Sequence, residues 1–559
     1  MSTLKIQPFL EKKGFFIYSF VKCSNSIFHK PTESGNDFLK ILVICRKYAS
    51  TIIEAFMINS VTQLPMVVHI NPNGNLSYYD KKKLLNLCLL GFMTFGFVSP
   101  KPQTPNIVLI FMDDLGYGDI GANGATNYQT PNIDKMATEG IRFTNFLAAQ
   151  AVCSASRAAL LTGCYPNRIG FSGALAPTST IGINANETTL AEVLKEKGYK
   201  TAIYGKWHLG HQKQFLPLQH GFDEYFGLPY SNDMWPVDYD GSPAPEGHFK
   251  KKAYPTLPLI QNNEKIEDIT TLEQQGMLTS RYTEKAVDFI KRNKNNPFFL
   301  YLPHSMPHVP INASPRFKGK SQQGLYGDVI MEIDWSIGEV LKALKANGLD
   351  KNTLVIVTSD NGPWLNYGNH AGSSGGYREG KGTSYEGGQR VPCVMRWKGT
   401  MPEGLVCNKL SSTIDLLPTI AKFCQAKLPS NKIDGLDISE LLKGNLSAEP
   451  RKSFYYYYRK NSLEAVRKGH WKLVLAHNGR TYEGFQPGND GYPGQVNENS
   501  PVPMALYDLR RDPGERYDVQ KTYPKIVEEL LQLAEEARED LGDDITQKTG
   551  KNNREAGKE

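Results

Sequence analysis

From Asn106 onward, the chain alternates short apolar runs with charged segments of helical spacing. Apolar runs of this kind, bounded by turn residues, are typical of strands buried on both faces. Strands that alternate with amphipathic helices form parallel sheets with helices on both sides. The pattern therefore predicts an α/β fold with a large mixed, mostly parallel sheet flanked by helices.

Four of these runs pass into polar side chains at the point where the predicted strand stops. They are residues 107–112, followed by Asp113 and Asp114; 200–204, followed by Gly205, Lys206, Trp207 and His208; 298–302, followed by Pro303 and His304; and 354–357, followed by Thr358, Ser359, Asp360 and Asn361. In open α/β sheets, ligands bind at the carboxyl ends of the strands. The four endings are therefore candidates for one site.

Helices are predicted at residues 189–197 and 326–346, which end at Gly198 and at Asn347-Gly348. Past about residue 427 the pattern changes to short strands, at 454–458, 465–466, 471–475 and 505–508, and a helix at 523–541. We expect a catalytic domain at 104–427, a C-terminal α+β subdomain with an antiparallel sheet at 428–545, and a disordered polar tail at 546–559.

Residues 81–100 have the three parts of a secretory signal. Three lysines, Lys81 to Lys83, precede an apolar stretch of 15 residues, 84–98, which ends in Ser99-Pro100. That stretch is shorter than the about 20 residues of a membrane helix. We therefore expect export to the periplasm or the extracellular space and no stable membrane span. A buried helix and an internal signal-anchor are the alternatives.

A signal of this type normally begins a chain, yet 80 residues precede this one. We interpret residues 1–80 as a dubious extension upstream of the true start, which would be Met57 or Met66. N-terminal sequencing of the secreted protein would decide between the alternatives.

The net charge of +7 comes almost entirely from this N-terminal region. Residues 1–100 hold 11 Lys and Arg against 5 Asp and Glu, whereas the other 459 of the 559 residues hold 53 against 52. With no basic-aromatic tract in the sequence, the composition argues against a nucleic-acid partner. Five of the eight cysteines follow residue 100. Because five is odd, at least one thiol is free or chemically special.

The adjacent carboxylates Asp113 and Asp114 point to one pocket only if the backbone turns there, and Gly116 and Gly118 follow at once. Buried like charges need a counter-ion, and oxygen ligands suit a hard cation. Asp360 and Asn361 offer two more oxygen ligands. Together these residues predict a divalent site for Ca²⁺ or Mg²⁺; solvated acids at a strand end are the simpler alternative.

Residues 151–163 read Ala-Val-Cys-Ser-Ala-Ser-Arg-Ala-Ala-Leu-Leu-Thr-Gly. A lone cysteine is by default a buried structural residue. This segment, however, resembles the sulfatase signature Cys-x-Pro/Ala-x-Arg with a downstream Leu-Thr-Gly, in which the cysteine becomes formylglycine (3-oxoalanine). Residues 105–519 resemble type I sulfatases, in the branch of arylsulfatase A and N-acetylgalactosamine-6-sulfatase. Supporting motifs are residues 130–134, 205–210, 220–223, 380–388 and 512–515.

The resemblance implies an alkaline-phosphatase-like sandwich and a site with one Ca²⁺ ion. The implied metal ligands are Asp113, Asp114, Asp360, Asn361 and the modified Cys153. Arg157 would hold the formylglycine hydrate, beside Lys206 and His208. Lys381 and His308 would contact the sulfate, with His304 as second choice for the histidine.

Two positions depart from the family pattern. Ala155 stands where the signature more commonly has proline. The form with alanine resembles the substrates of radical-type maturases. Where arylsulfatase A has a histidine after Pro-Tyr-Ser, this chain has Asn232, which we predict to face the substrate. Several residues could contact a sugar or pack their own loops: Tyr230, Asn232, Trp235, Trp364 and Tyr367.

The implied reaction is hydrolysis of a sulfate monoester. One hydroxyl of the hydrate takes the sulfuryl group, and deprotonation of the other expels sulfate. His208 is the candidate base and His308 the candidate acid, while Arg157, Lys206, Lys381 and the metal neutralise the oxygens. Expected partners are a formylglycine-generating maturase and sulfated carbohydrates, with a leaning towards galactose or N-acetylgalactosamine sulfates, or aryl sulfates.

Two other functions stay open at this point. One is a phosphoester or phosphonate hydrolase of the alkaline-phosphatase superfamily. The other is an unmatured protein that binds sulfated glycans without hydrolysing them.

Overall fold

The computed structural model describes residues 104–559 and two short upstream strands, Val67–Ile70 and Leu76–Tyr79. These two strands pair antiparallel, with Val67 opposite Tyr79. They fall in a different unit of the chain from residues 102–559. Apart from this hairpin, the predicted extension at 1–80 and the signal-like segment at 81–100 lie outside the described residues.

The strands, in chain order, are β1 (Val67–Ile70), β2 (Leu76–Tyr79), β3 (Asn106–Met112), β4 (Ile141–Phe143), β5 (Phe146–Leu147), β6 (Ile181–Gly182), β7 (Lys200–Tyr204), β8 (Glu224–Gly227), β9 (Leu257–Gln261), β10 (Glu264–Ile269), β11 (Phe298–Pro303), β12 (Thr353–Ser359), β13 (Cys393–Arg396), β14 (Leu405–Cys407), β15 (Ser411–Ser412), β16 (Ser453–Tyr458), β17 (Ser462–Lys468), β18 (Trp471–Val474), β19 (His477–Thr481), β20 (Asn497–Val502), β21 (Ala505–Asp508), β22 (Gly542–Asp543), β23 (Lys548–Thr549) and β24 (Gly557–Lys558).

The α-helices are α1 (Pro131–Thr138), α2 (Cys153–Thr162), α3 (Leu190–Lys195), α4 (Phe249–Ala253), α5 (Leu272–Gly276), α6 (Leu278–Arg292), α7 (Gly324–Ala346), α8 (Glu386–Gln389), α9 (Leu416–Phe423), α10 (Ser439–Leu442) and α11 (Pro524–Leu541). Within the described part of the chain, none of these helices is both long and apolar enough to cross a membrane.

The large sheet has ten strands in the order β10-β9-β8-β7-β11-β3-β12-β13-β4-β14. Its five central strands, β8, β7, β11, β3 and β12, run parallel to one another. The four predicted strands are β7, β11, β3 and β12, and they are direct neighbours in this order. Their carboxyl ends therefore meet at one edge of the sheet, as predicted.

Apolar side chains cover both faces of this sheet. In β3, Ile107, Leu109 and Phe111 belong to one core cluster, while Val108, Ile110 and Met112 belong to the cluster on the other face. All are buried, because successive residues of a strand point to opposite faces. This double burial explains why the strands read as unbroken apolar runs rather than as alternating ones.

The C-terminal region forms a four-stranded antiparallel sheet, β16-β17-β18-β21, against which helix α11 packs. The predicted strands and helix of this region are confirmed, with ends that shift by a few residues. Together with the large sheet, this gives the predicted α/β sandwich with a smaller α+β part.

The prediction of a disordered tail is wrong. Strand β23 pairs with β22, and β24 pairs with β6, which lies in the N-terminal half of the unit. The Arg554 guanidinium also pairs with the Glu187 carboxylate at 2.5 Å. The polar composition of the tail did not reveal that its charges have partners far away in the sequence.

A buried ionic cluster joins the C-terminal sheet to helix α8. The Glu386 carboxylate accepts a hydrogen bond from the Tyr456 hydroxyl at 2.7 Å and lies 2.5 Å from Arg390 and 3.3 Å from Lys472. Lys472 also lies 2.8 Å from Glu515. Burial opposes the ionisation of Glu386, but Arg390 and Lys472 hold its pKa below the ordinary value.

Replacing Lys472 by methionine should destabilise the protein strongly. The substitution keeps most of the side-chain volume but leaves Glu386 and Glu515 with less positive charge, and breaking a buried ionic arrangement costs about 3–5 kcal/mol. The measurement is the free energy of unfolding from urea denaturation.

The matched control is Lys468→Met in the neighbouring strand β17, whose side chain is exposed and pairs with Glu529. Exposed ion pairs contribute at most about 1 kcal/mol. Equal, small losses for both variants would contradict a structural role for the buried cluster.

Candidate active site at the carboxyl edge of the parallel strands

Two carboxylates follow β3 and enter one pocket because the backbone turns at Asp114. This residue has a left-handed φ of 66°, and its amide donates to Asp360 Oδ1 at 3.1 Å. Asn361 Nδ2 donates to Asp114 Oδ1 at 2.7 Å. The predicted convergence is confirmed, but Asp114, not the glycines, adopts the special conformation. Gly116 is needed because a Cβ there would overlap the Ser373 carbonyl oxygen.

Cys153 is the first residue of helix α2, all of whose residues are buried. Its Sγ and one ligand atom each of Asp113, Asp114 and His308 all lie within 4.8 Å of one another. The neighbouring Ser154 Oγ accepts a hydrogen bond from the Leu175 amide at 2.9 Å. The start of the helix is therefore anchored to the loop at Leu175 and directed at the carboxylates.

Each of the three carboxylates faces a cationic side chain. The closest contacts are Lys206 Nζ to Asp113 Oδ2 at 2.5 Å, Arg157 Nη2 to Asp360 Oδ2 at 2.7 Å, and Lys381 Nζ to Asp114 Oδ1 at 2.8 Å. Arg157 Nη2 also lies 3.5 Å from Asp113 Oδ1. All six side chains are buried. The structure thus brings together the predicted cations and carboxylates in pairs of opposite charge.

These pairs and their burial shift the acidities in the site. Burial opposes ionisation of Asp113, but Lys206, His308 and Arg157 hold its pKa well below the ordinary value. Burial and the nearby Asp113 raise the pKa of Asp360 to about 7. Burial, together with Asp113 and Asp360, raises the pKa of the Cys153 thiol to about 12 against the opposing effect of Lys206 and Lys381.

His208 lies beside this cluster with one ring nitrogen bound to the backbone. Its Nε2 is 2.9 Å from the Leu175 carbonyl oxygen, and its Nδ1 has no hydrogen-bond partner among the described residues. Burial, with Lys206 and Arg157, holds its pKa well below the ordinary value. His208 also has a left-handed φ of 62°, and such strained residues are concentrated at functional sites.

The two candidate histidines after β11 differ in position. His308 Nε2 lies 3.7 Å from Asp114 Oδ2, and its Nδ1 is 2.6 Å from the Val309 carbonyl oxygen. His304 instead packs in the core, with Nε2 3.2 Å from Ser336 Oγ, and burial lowers its pKa to about 3. The geometry therefore favours His308, the first choice, over His304.

The donor set fits a hard divalent cation. Two buried oxygens, Asp113 Oδ1 and Asn361 Oδ1, accept no hydrogen bond from any described residue. They belong to a group of carboxylate and amide oxygens, which are the ligands that Ca²⁺ prefers. Unpaired buried oxygens are costly unless a ligand satisfies them. The arrangement thus has both the chemistry and the free ligand atoms for one ion.

The amide nitrogen of Asn232 is bound within the protein, whereas its Oδ1 has no hydrogen-bond partner among the described residues. Nδ2 donates to Gln275 Oε1 at 3.0 Å and to the carbonyl oxygens of His308 and Pro310, both at 3.2 Å. Asn232 is fully buried. Because these acceptors occupy its donor atoms, the residue positions the His308 loop.

Of the aromatic residues that could contact a sugar, only Trp364 is partly exposed. Tyr230, Trp235 and Tyr367 are buried among loop residues. The Trp364 ring centroid lies 4.3 Å from Lys381 Nζ and 5.4 Å from the centroid of the His308 ring. Trp364 therefore lies at the side of the pocket, next to Lys381 and His308.

Sequence reasoning missed Ser231 and Asp233. Ser231 Oγ accepts a hydrogen bond from Lys206 Nζ at 3.0 Å. Asp233 Oδ1 is buried without a partner among the described residues, and His308 and Lys251 lower the pKa of Asp233 against the effect of burial. The only sequence signal was their place in the Pro-Tyr-Ser segment that departs from the family pattern.

Unmodified Cys153 should be unreactive in the folded protein. Because its thiol is buried and its pKa is raised to about 12, alkylation by iodoacetamide at pH 8 should not label the Cys153 peptide within minutes, as only thiolates react rapidly. Peptide mapping of protein made without a maturase checks this, with labelling in urea as the control. Fast labelling of the native protein would contradict the site geometry.

The five cysteines of the described region form no disulfide.

The comparisons with known proteins agree with the geometry. Residues 105–426 match the sulfatase family model, and residues 449–557 match that of the C-terminal region of aryl-sulfatase. N-acetylgalactosamine-6-sulfatase of Mus musculus is 40% identical over 462 residues, covering 78% of this chain and 85% of that protein. Arylsulfatase A of Homo sapiens is 37% identical over 466 residues, covering 80% and 89%.

A solved sulfatase of a Pseudoalteromonas species, PsFucS1, superposes with a TM-score of 0.68 at 27% identity, covering 85% of this chain and 97% of that chain. The range that matches the sulfatase family model, residues 105–426, contains the carboxylates, the cations and the segment around Cys153. The chain therefore belongs to the sulfatase family and is a sulfuric ester hydrolase.

Proposed function

We propose that this enzyme removes sulfate from galactose or N-acetylgalactosamine sulfates in glycans, and from aryl sulfates, with formylglycine at position 153 and one calcium ion. The observation that carries the proposal is the place of Cys153, at the start of helix α2 and within 4.8 Å of two carboxylates and His308. Lys206 and Lys381 lie near enough to act electrostatically on its thiol.

The thiol itself is unsuited to the reaction. With a pKa raised to about 12 by burial and by Asp113 and Asp360, it stays protonated at neutral pH, and a protonated thiol is a poor nucleophile. Hydrated formylglycine at this position would supply a hydroxyl nucleophile in its place. This argument supports maturation of Cys153 by a formylglycine-generating maturase.

His208 is the proposed base. Its Nδ1 would take the proton of the second hydroxyl of the hydrate, the step that expels sulfate. The Leu175 carbonyl oxygen can only accept a hydrogen bond, so Nε2 carries the proton. Nδ1 then has a free lone pair, and no described residue occupies it. Since burial and the neighbouring Lys206 lower its pKa, the imidazole is neutral and ready to accept a proton.

His308 is the proposed acid. The Val309 carbonyl oxygen, 2.6 Å away, holds a proton on Nδ1, and Nε2 points towards Asp114 in the pocket. With Nδ1 protonated, a proton on Nε2 makes the ring an imidazolium. Burial and Lys381 lower the pKa of His308, whereas Asp114 and Asp113 favour its charged form. Transfer of the Nε2 proton to the departing alcohol oxygen would return the ring to its neutral form. Asn232 keeps this loop in place through its hydrogen bond to the His308 carbonyl oxygen.

The cation would be held by Asp113, Asp114, Asp360, Asn361 and the modified residue 153. When bound, Ca²⁺ supplies Lewis-acid stabilisation of the sulfate oxygens. Without it, three carboxylates balance Arg157, Lys206 and Lys381. Two further positive charges would make the pocket attractive to an anionic sulfate ester, and such preorganised charge is usually the largest catalytic contribution.

The glycan proposal rests on the name of the murine relative, N-acetylgalactosamine-6-sulfatase, and on two residues near the pocket. Trp364 offers a partly exposed aromatic face, and Asp233 Oδ1 is an acceptor without a partner in the described region. A sugar hydroxyl could donate to this oxygen. From the signal-like segment at 81–100 we also infer export to the periplasm or the extracellular space, where the enzyme would meet sulfated glycans.

The Cys153→Ala variant should lose essentially all turnover of 4-nitrophenyl sulfate and of sulfated galactose or N-acetylgalactosamine, since it cannot form the nucleophile. It should still fold, because alanine fits the buried start of the helix. Activity assays and a thermal melt check both statements. In the active enzyme, the peptide that contains residue 153 should be about 18 Da lighter than its cysteine form.

Controls separate the alternatives. Fully unmodified Cys153 in protein from the native host would favour a sulfated-glycan-binding protein. Turnover of 4-nitrophenyl phosphate that equals turnover of the sulfate would favour a phosphoester hydrolase. Activity of Cys153→Ala comparable to the wild type would refute the assigned nucleophile.

Calcium should raise the melting temperature of EDTA-treated enzyme by about 5 °C or more at saturating concentration, because a ligand that binds only the folded state stabilises it. The Asn361→Ala variant, which removes a neutral ligand oxygen, should show a clearly smaller shift. Scanning calorimetry measures this without reference to activity.

The control variant is Asn431→Ala, at a partly exposed position whose side chain donates a hydrogen bond to the Asn186 carbonyl oxygen; it should keep the full shift. An unchanged shift in Asn361→Ala would argue against the ligand set. A larger shift with MgCl₂ than with CaCl₂ would replace calcium by magnesium.

A further inference from the structure

A small cavity of about 150 Å³ lies between the loop after β12 and the loop that joins β19 to β20. Six described residues line it: Leu365, Asn366, Tyr482, Phe485, Pro487 and Gln495. None of them belongs to the catalytic or metal-ligand set.

Two contacts place the walls of the cavity close to the active site. Leu365 follows Trp364, whose ring centroid lies 4.3 Å from Lys381 Nζ. On the opposite wall, the Tyr482 hydroxyl donates to the Lys381 carbonyl oxygen at 2.5 Å. Both walls are therefore one residue or one hydrogen bond away from Lys381. A substrate that extends past Trp364 from Lys381 would therefore approach this cavity.

The lining has the chemistry of a site for a neutral sugar. Three of its residues are apolar, and Phe485 keeps 36% of its surface exposed. The other three carry amide or hydroxyl groups, and Asn366 Oδ1 is buried without a described hydrogen-bond donor. A pyranose ring has an apolar C–H face and hydroxyl edges, which match such a lining. No lysine or arginine among the lining residues would compensate a second sulfate.

The cavity is also held in shape before any ligand binds. The Asn366 carbonyl oxygen accepts hydrogen bonds from the amides of Gly488 at 2.8 Å and Gly494 at 2.6 Å. The Asp490 amide donates to Asn369 Oδ1 at 2.8 Å. These bonds attach the β19–β20 loop to the loop after β12. Preorganisation of this kind lowers the entropic cost of binding.

We propose that this cavity binds the unsulfated, neutral sugar unit next to the sulfated one. The inference rests on the proposed glycan sulfatase function and extends it. The enzyme then acts on oligosaccharides in preference to single sulfated sugars, and the C-terminal loop reads the neighbouring unit.

The test uses the full-length, matured enzyme and three substrates. They are 4-nitrophenyl sulfate, the sulfated monosaccharide that is hydrolysed fastest, and a disaccharide in which this sugar is joined to unsulfated N-acetylglucosamine. For the wild type, kcat/KM should be about tenfold higher for the disaccharide than for the monosaccharide, through a lower KM. The Phe485→Ala variant should lower that ratio about tenfold, which corresponds to about 1.4 kcal/mol of binding.

The Gln495→Ala variant changes an exposed position and should lower the ratio by a smaller factor. The control is Tyr517→Ala, which removes an aromatic ring that is 73% exposed and is not part of the cavity lining; it should keep the wild-type ratio. A disaccharide with glucuronic acid in place of N-acetylglucosamine should gain less, because the lining carries no cation.

Failure of this proposal can be told apart from failure of the proposed function. Equal kcat/KM for mono- and disaccharide, or a wild-type ratio in both Phe485→Ala and Gln495→Ala, would overturn the sugar subsite alone. Hydrolysis of 4-nitrophenyl sulfate with no turnover of any sulfated sugar would overturn both.

Discussion

Three carboxylates buried at the ends of two neighbouring strands impose the main constraint on this protein. A buried charge without a partner costs several kcal/mol, so each carboxylate needs a cation from elsewhere in the chain. Asp113 receives Lys206 from the end of β7, Asp360 receives Arg157 from helix α2, and Asp114 receives Lys381. The sheet order places β3 beside both β11 and β12. Parallel strands are what allow these endings to meet.

Lys381 is the exception among the three cations, since it comes from a loop rather than from a strand end or a long helix. Its backbone is held by the C-terminal region, where the Tyr482 hydroxyl binds the Lys381 carbonyl oxygen. The nearby Glu379 accepts hydrogen bonds from the Thr481 hydroxyl and the Tyr482 amide. The buried Glu386 cluster fixes the far end of the same loop. The C-terminal sheet is therefore part of the support of the anion site and not an appended module.

Much of the fold and of the site could be predicted because the signal is local. An unbroken apolar run predicts a central strand buried on both faces, and a polar residue that follows it lies at the carboxyl edge of the sheet. Asp113, Lys206 and Asp360 all followed from this rule. Cys153 and Lys381 do not, and only the motif resemblance pointed to them. Contacts between residues that are distant in the sequence could not be predicted. Arg554 and Glu187 are 367 positions apart, and nothing near either residue marks the pair.

Asn232 and the loop aromatics show a second limit. A polar or aromatic residue in a loop near a site can face the ligand or hold the loop, and its type is the same in both cases. Asn232 is bound by Gln275 and by two carbonyl oxygens, so it holds the loop. Asn232 Oδ1 and Asp233 Oδ1 are both acceptors without a described partner, so the Nδ2 contacts alone identify the loop-holding role of Asn232. Backbone geometry decides between the two roles, and the sequence alone does not contain it.

The loop at Leu175 connects position 153 to His208 without using the Cys153 side chain or His208 Nδ1. Its amide donates to Ser154 Oγ, next to Cys153, and its carbonyl oxygen binds His208 Nε2. Both residues are therefore tied to the backbone of Leu175. Exchange of the Cys153 side chain for another small group leaves both hydrogen bonds in place. The same contacts also fix the tautomer of His208, so the free Nδ1 is present before and after the side chain at position 153 changes.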